Sequence, residues 1–559
     1  MRGLMTLLND SKKTWDKAEI ICGSLLYLIS SAMIIFSAYL CFSPDIWYDE
    51  LFSMQLATKP VSEMVKLTAA DVHPPLYYII VHFVIKALTP FGNSFMSSGL
   101  VNSGAALGSM QIMYAKLASV IPLFILFLYA LTIIRKRYGI LVGGLFSCAV
   151  IAMPQMADYA VEVRMYSWVM LFVTALCIHA GPFIETEKDK QIKGLKWGKI
   201  FPLFIYGLLA CYTQYYAAVA VAAVYLFLII WSVRKNVYQL GIILISANMT
   251  AVCYVPWISV VLSQARSVSS NYWIQPLSLR SFGGIIKFLM KPGFFNDKLA
   301  TVLAVVMFVL VAAVVFCNIR DSYMWLCFMP IIGIIAFGFA VSFLLRPVFI
   351  YRYMIPAMGA MWLSVLIAAK RLLNGERGKL LFAGLLLYTL MTIFCIRDFW
   401  AFRGNELYKR VNMVQTEQFW KDIYEGNGSE DTDEDSLSEK PILICNFEQV
   451  AALSMYYANG YCDIVGDAGK ELPVQVYLYG AITDSILEST LPGIQVISEY
   501  PEVQELVDSG RRVLFIGSFN SREDILKDWK ESPAGIENKN IGSYLNERYW
   551  FDVFELSRK

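Results

Sequence analysis

Long apolar runs alternate with short polar segments over residues 18–397. Most of these runs have the roughly 17 to 25 residues that a helix needs to cross a bilayer. By hydropathy about eleven spans can be placed, near residues 18–42, 111–134, 139–157, 163–184, 200–216, 217–233, 237–262, 297–319, 322–345, 351–369 and 379–397. The pattern predicts an α-helical polytopic membrane protein.

Composition agrees with this prediction. Of the 559 residues, 57% are hydrophobic and only 16% are charged, and the mean hydropathy is +0.53. Soluble proteins have nearer a quarter charged residues, and single hydrophobic cores stop growing at roughly 250–300 residues. A very large soluble core is therefore excluded, and the net charge of +2 gives no indication of nucleic-acid binding.

Basic residues indicate the orientation of the spans. Lys and Arg cluster at the N-terminus and in alternate loops, for example in "RKRYG" and "KDKQIKGLKWGK". The positive-inside rule makes that side cytoplasmic. The apolar segment 76–90 would reverse this order as a span, and it contains His82 and Lys86, so we expect an interfacial amphipathic helix. The alternative is a true span with a return crossing in 91–110.

This topology places the polar tail outside the cell membrane. The sequence predicts a transmembrane module over 1–397, with interfacial helices in 44–90, and an extracytoplasmic domain over 398–559. Residues 426–439 form an acidic linker. After it, "PILICN", "RRVLFIGSF" and "YWFDVFEL" are typical of strands and "EQVAALSMYYAN" of a helix. A small α/β domain follows, in which Cys445 and Cys462 are candidates for a disulfide.

Two acids, Asp49 and Glu50, follow the first span in "WYDELFS". They could begin a helix, with Asp49 as the cap and Glu50 near the positive end of the dipole. They could also supply a general base at the membrane edge. Farther on, the two prolines in "DVHPPLYY" prevent a helix and predict a turn at His73. His73 is either a structural residue of this turn or a substrate contact.

Charged residues also mark the outer ends of later spans. Asp158, Glu162 and Arg164 lie in "ADYAVEVRMYSW", where a helix would put the two acids on one face. Arg346, Arg352 and Tyr353 lie in "RPVFIYRYMIP", as an interfacial anchor or as a phosphate site, for which guanidinium groups are suited. Lys116, at the outer end of its span, is a weaker candidate for phosphate binding.

Cofactor motifs are not found in the sequence. The tail domain has no G-x-G-x-x-G motif and no P-loop, and three histidines in the whole chain are too few for a His-rich metal site. A role for a divalent cation stays open.

Taken together, the ordered motifs resemble the GT-C superfamily of polytopic glycosyltransferases, in its bacterial branch related to protein O-mannosyltransferases and lipid A aminoarabinose transferases. The matching pieces are "WYDELFS", "DVHPPLYY", "PQMADYAVEVRMYSWVMLF", "YTQYYA" and "YRYMIPAM", within residues 18–370. Two positions depart from the pattern of this family. Relatives usually have arginine at the position of Lys116 and often have histidine at the position of Gln214.

The resemblance implies a GT-C fold and a multi-pass enzyme of the cell membrane. Such enzymes pass a sugar from a polyprenyl-phosphate donor to a protein, lipid or glycan acceptor on the outer face, with the acid of the first loop as base. A membrane transporter or flippase for lipid-linked glycans is the alternative; it would place charges in the middle of spans. A scaffold that presents the tail domain is a third.

Overall fold

A computed structural model describes residues 2–97, 107–154, 156–185, 197–267, 276–294, 296–373, 378–425, 440–458, 474–480, 493–532, 535–546 and 549–559. The chain divides into two compact units, and each is described by itself. The first unit contains Met1–Cys41, Val72–Tyr77 and Lys116–Arg403. The second contains Phe42–Asp71, Tyr78–Ala115 and Gly404–Lys559.

Within the described residues, seventeen α-helices precede the sheet. They are α1 Arg2–Leu40, α2 Tyr48–Thr58, α3 Val61–Ala70, α4 Leu76–Ser97, α5 Leu107–Tyr129, α6 Arg135–Tyr138, α7 Ile140–Ala152, α8 Met156–Val161, α9 Tyr166–Glu185, α10 Trp197–Cys211, α11 Tyr215–Lys235, α12 Leu240–Ser267, α13 Leu279–Met290, α14 Asp297–Cys317, α15 Ser322–Leu344, α16 Ile355–Leu373 and α17 Gly378–Glu425. A π-helical turn, Ala130–Ile134, joins α5 to α6.

Within the described residues, nine helices are long and apolar enough to cross a membrane. They cover Asp16–Leu40, Met110–Tyr138, Tyr166–Ile184, Tyr215–Lys235, Val237–Ala265, Asp297–Cys317, Ser322–Leu344, Tyr351–Leu373 and Leu381–Met413. The predicted spans 139–157 and 200–216 correspond to shorter apolar helices, Ile140–Ala152 and Gly198–Cys211. The protein is a multi-pass membrane protein, as its hydropathy predicts.

Helices α9 and α16 lie at the centre of the first unit. In their most apolar windows, 83% and 89% of residues are buried. The two helices approach closely at Gly359, where an added Cβ would lie 2.3 Å from Thr174 Oγ1. In membrane helices, small residues such as glycine let two backbones approach closely. Gly359 therefore permits the contact between α9 and α16.

The segment 76–90 is confirmed as a helix, α4, which belongs to the second unit from Tyr78 onward. His82 lies on this helix, with Nδ1 at 2.8 Å from the Ala57 carbonyl oxygen of α2. The contact fixes α4 against the end of α2. Its interfacial position and the side of the membrane on which each loop lies stay predictions.

In the described part of the C-terminal domain, six strands form one sheet. Its elements are β1 Ile442–Cys445, α18 Glu448–Ala458, β2 Val476–Tyr479, β3 Ile494–Ile497, α19 Tyr500–Asp508, β4 Val513–Gly517, α20 Ser521–Glu531, β5 Ile536–Asn546 and β6 Tyr549–Arg558. The strand order is β3-β2-β1-β4-β6-β5. Strands β1 to β4 are parallel and β6 runs antiparallel to both β4 and β5. The predicted α/β tail domain is thus confirmed.

Apolar residues on both faces of β1 and β4 place these strands at the centre of the sheet, as expected for buried parallel strands. Trp529 of α20 packs edge-on against Phe515, with ring centroids 5.1 Å apart. Cys445 is buried in β1, whereas Cys462 and the acidic linker lie outside the described residues, so the disulfide stays a prediction. The predicted boundary at 397/398 falls inside α17, because that helix continues from an apolar half into a polar one.

Candidate active site

The two acids of the first loop occupy the first turn of α2, in the second unit. Trp47 is the N-cap residue, and its N–H donates to the Glu50 carboxylate at 3.2 Å. Glu50 is only 3% exposed. Because its carboxylate accepts the Trp47 N–H, it stabilises the start of the helix. The expectation that Asp49 caps this helix is wrong, because the chain is already helical at Tyr48. Asp49 is half-buried one residue before Glu50.

A cavity of about 560 Å³ lies in the first unit. Its volume is in the range of small-molecule sites. Its apolar walls are Val72, Val261, Ala265, Phe337, Val341, Leu344, Leu345 and Val348. Its polar lining consists of His73, Gln214, Gln264 and Arg346, together with Tyr215, Tyr216 and Tyr353. The site therefore combines a large apolar wall with a few polar groups.

Four segments supply these polar groups: the His73 turn, the start of α11, the end of α12, which carries Gln264, and the segment 346–353. The Leu76 N–H donates to the Tyr212 carbonyl at 3.1 Å, which places the His-Pro-Pro turn beside the start of α11. Tyr216 donates to the Val348 carbonyl at 2.8 Å and stacks on Tyr353 with ring centroids 4.6 Å apart. These contacts explain why His73 and Tyr353, both predicted as substrate contacts, line one cavity.

Gln214 is the polar group most in need of a ligand. Its side chain lines the cavity and is 3% exposed. Within the described part of the chain, neither atom of its amide has a hydrogen-bond partner. An unsatisfied buried amide costs about 1–3 kcal/mol, so a polar group of a ligand, or water, is expected against it.

Arginine is also present at the cavity. Arg346 lines it and donates to the Ala265 carbonyl at 3.0 Å. Arg352 lies in the 3₁₀ turn Tyr351–Met354 immediately before α16 and is half-buried. Arg352 is not among the lining residues, but the adjacent Tyr353 is.

A second polar group in this unit is a buried ionisable cluster. Lys116, Glu162 and Arg164 are each 5% exposed. The Ser119 hydroxyl, one turn after Lys116 on α5, donates to the Glu162 carbonyl at 2.6 Å. Lys116 therefore lies on the helix face that contacts the 162–164 segment. Buried charges of this kind tend to be paired.

The helix expected through Asp158 and Glu162 ends earlier. Helix α8 stops at Val161, and the Arg164 N–H closes a tight turn on the Glu162 carbonyl at 2.7 Å. The condition for an i,i+4 pair of Asp158 and Glu162 on one helix face is therefore not met. Asp158 stays in α8, half-buried, and Glu162 begins the turn that leads into α9.

Comparison with known proteins identifies the architecture. No protein-family profile and no curated sequence matches the chain. Among solved structures, apo ArnT from Cupriavidus metallidurans aligns at 11% identity and a TM-score of 0.54, over 94% of this chain and 97% of that one. The same protein bound to undecaprenyl phosphate aligns at 10% identity and a TM-score of 0.53 over the same shares. The chain has the GT-C fold.

The GT-C fold predicted from the motifs is thereby confirmed over nearly the whole chain. Some polar groups of this chain were not predicted from the sequence. Gln264 lines the cavity near the end of an apolar helix, and Asp398 is 5% exposed and accepts the Gly293 N–H. The sequence gives little indication of either residue, because each is a single polar residue at the end of a long apolar run. Across the described residues, no group of three potential ligands could hold a metal ion.

We expect the buried cluster of Lys116, Glu162 and Arg164 to be required for stability. Lys116→Met removes one positive charge from the cluster and leaves the other buried groups without their full complement of charge. Such a loss typically lowers the free energy of unfolding by about 3–5 kcal/mol. The matched control is Lys136→Met, because Lys136 is exposed on α6. Thermal unfolding of both variants in detergent measures the difference. Equal melting temperatures for the two variants would contradict the prediction.

Proposed function

We propose that the protein is an inverting glycosyltransferase. It transfers a sugar from a polyprenyl-phosphate donor to a protein, lipid or glycan acceptor on the outer face of the membrane, with its C-terminal domain extracytoplasmic. The observation that carries the proposal is the cavity of the first unit, which presents an apolar wall and polar groups within one volume. This combination matches a lipid that ends in a polar head.

The apolar wall suits an isoprenoid chain. Leu344 and Leu345 of this wall are 81% and 79% exposed, so the cavity is bordered by apolar surface. The polar groups suit a phosphate, because amide, imidazole and guanidinium groups all donate hydrogen bonds to anionic oxygen. ArnT, the aligned GT-C structure, has been solved with undecaprenyl phosphate bound.

Asp49 is the proposed base. An acceptor hydroxyl has a pKa far above 7, so a positioned carboxylate must take its proton during attack. Glu50 is the less suitable of the two acids, since it accepts the Trp47 N–H. One base and one displacement invert the anomeric centre, whereas retention requires a second, nucleophilic carboxylate.

The leaving phosphate requires cations or hydrogen-bond donors. Charge develops on the phosphate as the glycosidic bond breaks, and preorganised donors stabilise it. The candidates are Arg346 at the cavity, Arg352 beside it, and Arg164 and Lys116 in the buried cluster. A divalent cation could share this role without changing the assignment of the base.

Lipid retention tests the donor site. The Val341→Trp variant fills part of the cavity, and we expect it to lose most of the polyprenyl lipid that co-purifies with the wild type. Mass spectrometry of lipid extracts measures this loss. The control is Val302→Trp, because Val302 on α14 is 58% exposed and does not line the cavity. Equal polyprenyl content in both variants would contradict the assigned donor site.

Sugar transfer tests the reaction itself. Purified protein in liposomes is incubated with undecaprenyl-phosphate-linked hexoses, pentoses and N-acetylhexosamines, each labelled in the sugar, and with a membrane extract as acceptor. Release of undecaprenyl phosphate together with labelled product supports the proposal. Movement of intact labelled donor across the bilayer, with no release, would instead show a flippase.

A further inference from the structure

We infer that Glu448 and helix α18 of the C-terminal domain position the acidic segment, residues 44–58, and with it the base Asp49. This inference rests on the proposed function for its catalytic part. The geometry lies wholly within the second unit, to which both regions belong. It gives a role to a domain whose sequence shows no chemistry of its own.

The first tether joins the residue before Asp49 to the start of α18. The Tyr48 hydroxyl donates a hydrogen bond to the Glu448 carboxylate. Burial raises the pKa of Tyr48 well above its ordinary value, and Glu448 and Asp49 raise it further. The phenol therefore keeps its proton and remains a donor. Hydrogen bonds to a charged acceptor are about twice as strong as neutral ones.

Two further tethers come from the same helix. The Tyr456 hydroxyl donates to the Pro44 carbonyl at 3.0 Å, and the Tyr457 hydroxyl lies 3.5 Å from the Ile46 carbonyl. Tyr456 and Ile46 are both fully buried. Since these carbonyls precede α2 and have no helical partner, the tyrosines fix the path of the chain as it enters that helix.

The sheet provides a rigid base for Glu448. Glu448 follows β1 at the carboxyl end of the parallel strands, next to β4, where the strand order reverses. Asn446 joins the two strand ends, because its side chain donates to the Ser518 carbonyl at 2.8 Å and accepts the Ser518 N–H at 3.1 Å. Doubly wound sheets bind ligands at this position. In this protein Tyr48 of the same chain occupies this position, through its hydrogen bond to Glu448.

Loss of the tethers should displace the base without removing it. A misplacement of about 1 Å can lower turnover by roughly 10²-fold. We therefore expect Glu448→Ala and Tyr48→Phe each to lower kcat by about 10–100-fold, with an unchanged KM for the polyprenyl-phosphate donor. Glu448→Gln retains a carbonyl acceptor and should recover most of the turnover.

Double variants separate positioning from general damage. Tyr48→Phe/Glu448→Ala should be no slower than the slower single variant, since both break one hydrogen bond. In an Asp49→Asn background, Glu448→Ala should cause no further loss, because the residual reaction does not use the base. A multiplicative loss in that background would overturn the inference.

Hydrogen exchange gives a readout independent of activity. In the full-length protein, Glu448→Ala should speed exchange of backbone amides in the acidic segment and leave α16 unchanged. Glu555→Gln is the control, because Glu555 pairs with Arg512 on a partly exposed part of the sheet. Unchanged exchange and unchanged kcat in Glu448→Ala would refute the positioning role. If exchange speeds up while wild-type protein transfers no sugar, the proposed function fails and the structural tether stands.

Discussion

Asp49→Asn should lower the turnover of sugar transfer by about 10²–10⁴-fold, the usual contribution of general-base catalysis. Asparagine keeps the shape of the side chain but cannot accept the acceptor's proton at neutral pH. The start of α2 should survive, since its cap is made by Trp47 and Glu50. The measurement is release of sugar from labelled polyprenyl-phosphate donor, with donor binding measured separately and expected to be unchanged.

Glu50→Gln is the matched control for this experiment. Glutamine can still accept the Trp47 N–H through its carbonyl oxygen, so the variant should cost much less turnover than Asp49→Asn. If Asp49→Asn is nearly normal while Glu50→Gln or Glu162→Gln is inactive, the role of base moves to that residue. If all three variants remain active, the glycosyltransferase proposal itself fails.

Arg352→Ala should weaken binding of the polyprenyl-phosphate donor by about 2–5 kcal/mol, the usual effect of truncating one partner of a partly desolvated charge pair. Acceptor binding should change less, because the acceptor does not present the lipid phosphate. Arg352→Lys keeps the charge but not the guanidinium fork and should recover only part of the affinity. Equilibrium binding of undecaprenyl phosphate measures each variant.

Arg280→Ala serves as the control for this arginine, because Arg280 is exposed on α13. Arg346→Ala provides the comparison within the site, since Arg346 lines the cavity and Arg352 does not. A larger loss at Arg346 would assign the phosphate to the cavity wall. Normal donor affinity in Arg352→Ala, Arg164→Ala and Arg346→Ala alike would point to Lys116 or a metal ion as the phosphate ligand.

The membrane spans were predictable because hydropathy is a local property. A run long enough to cross a bilayer is visible without knowing its neighbours, and every predicted span coincides with an apolar helix. The tail was harder to predict. Strands β1, β4 and β6 are apolar and were recognised, whereas β5 is polar and carries an irregularity in its register between Asn540 and Gly542.

The candidate site was predictable only in part. His73 and Tyr353 are marked by prolines and tyrosines in short motifs, and both line the cavity. Gln264 could not be predicted, because one glutamine at the end of a helix has no periodic signature. Glu448 was missed for a different reason: it follows a strand in a tail domain, and its partner Tyr48 lies 400 residues earlier.

That separation has a consequence for the biosynthesis of the protein. The acidic segment leaves the ribosome first, while the helix that anchors it is made about 400 residues later, and domains generally fold in the order of their synthesis. Contacts between residues so distant in the chain form only after the intervening loop has closed. An incomplete chain would therefore contain the base but not its anchor. Under the proposed function, sugar transfer would begin only once the C-terminal domain has folded, so that a nascent chain without this domain would not consume the lipid-linked donor.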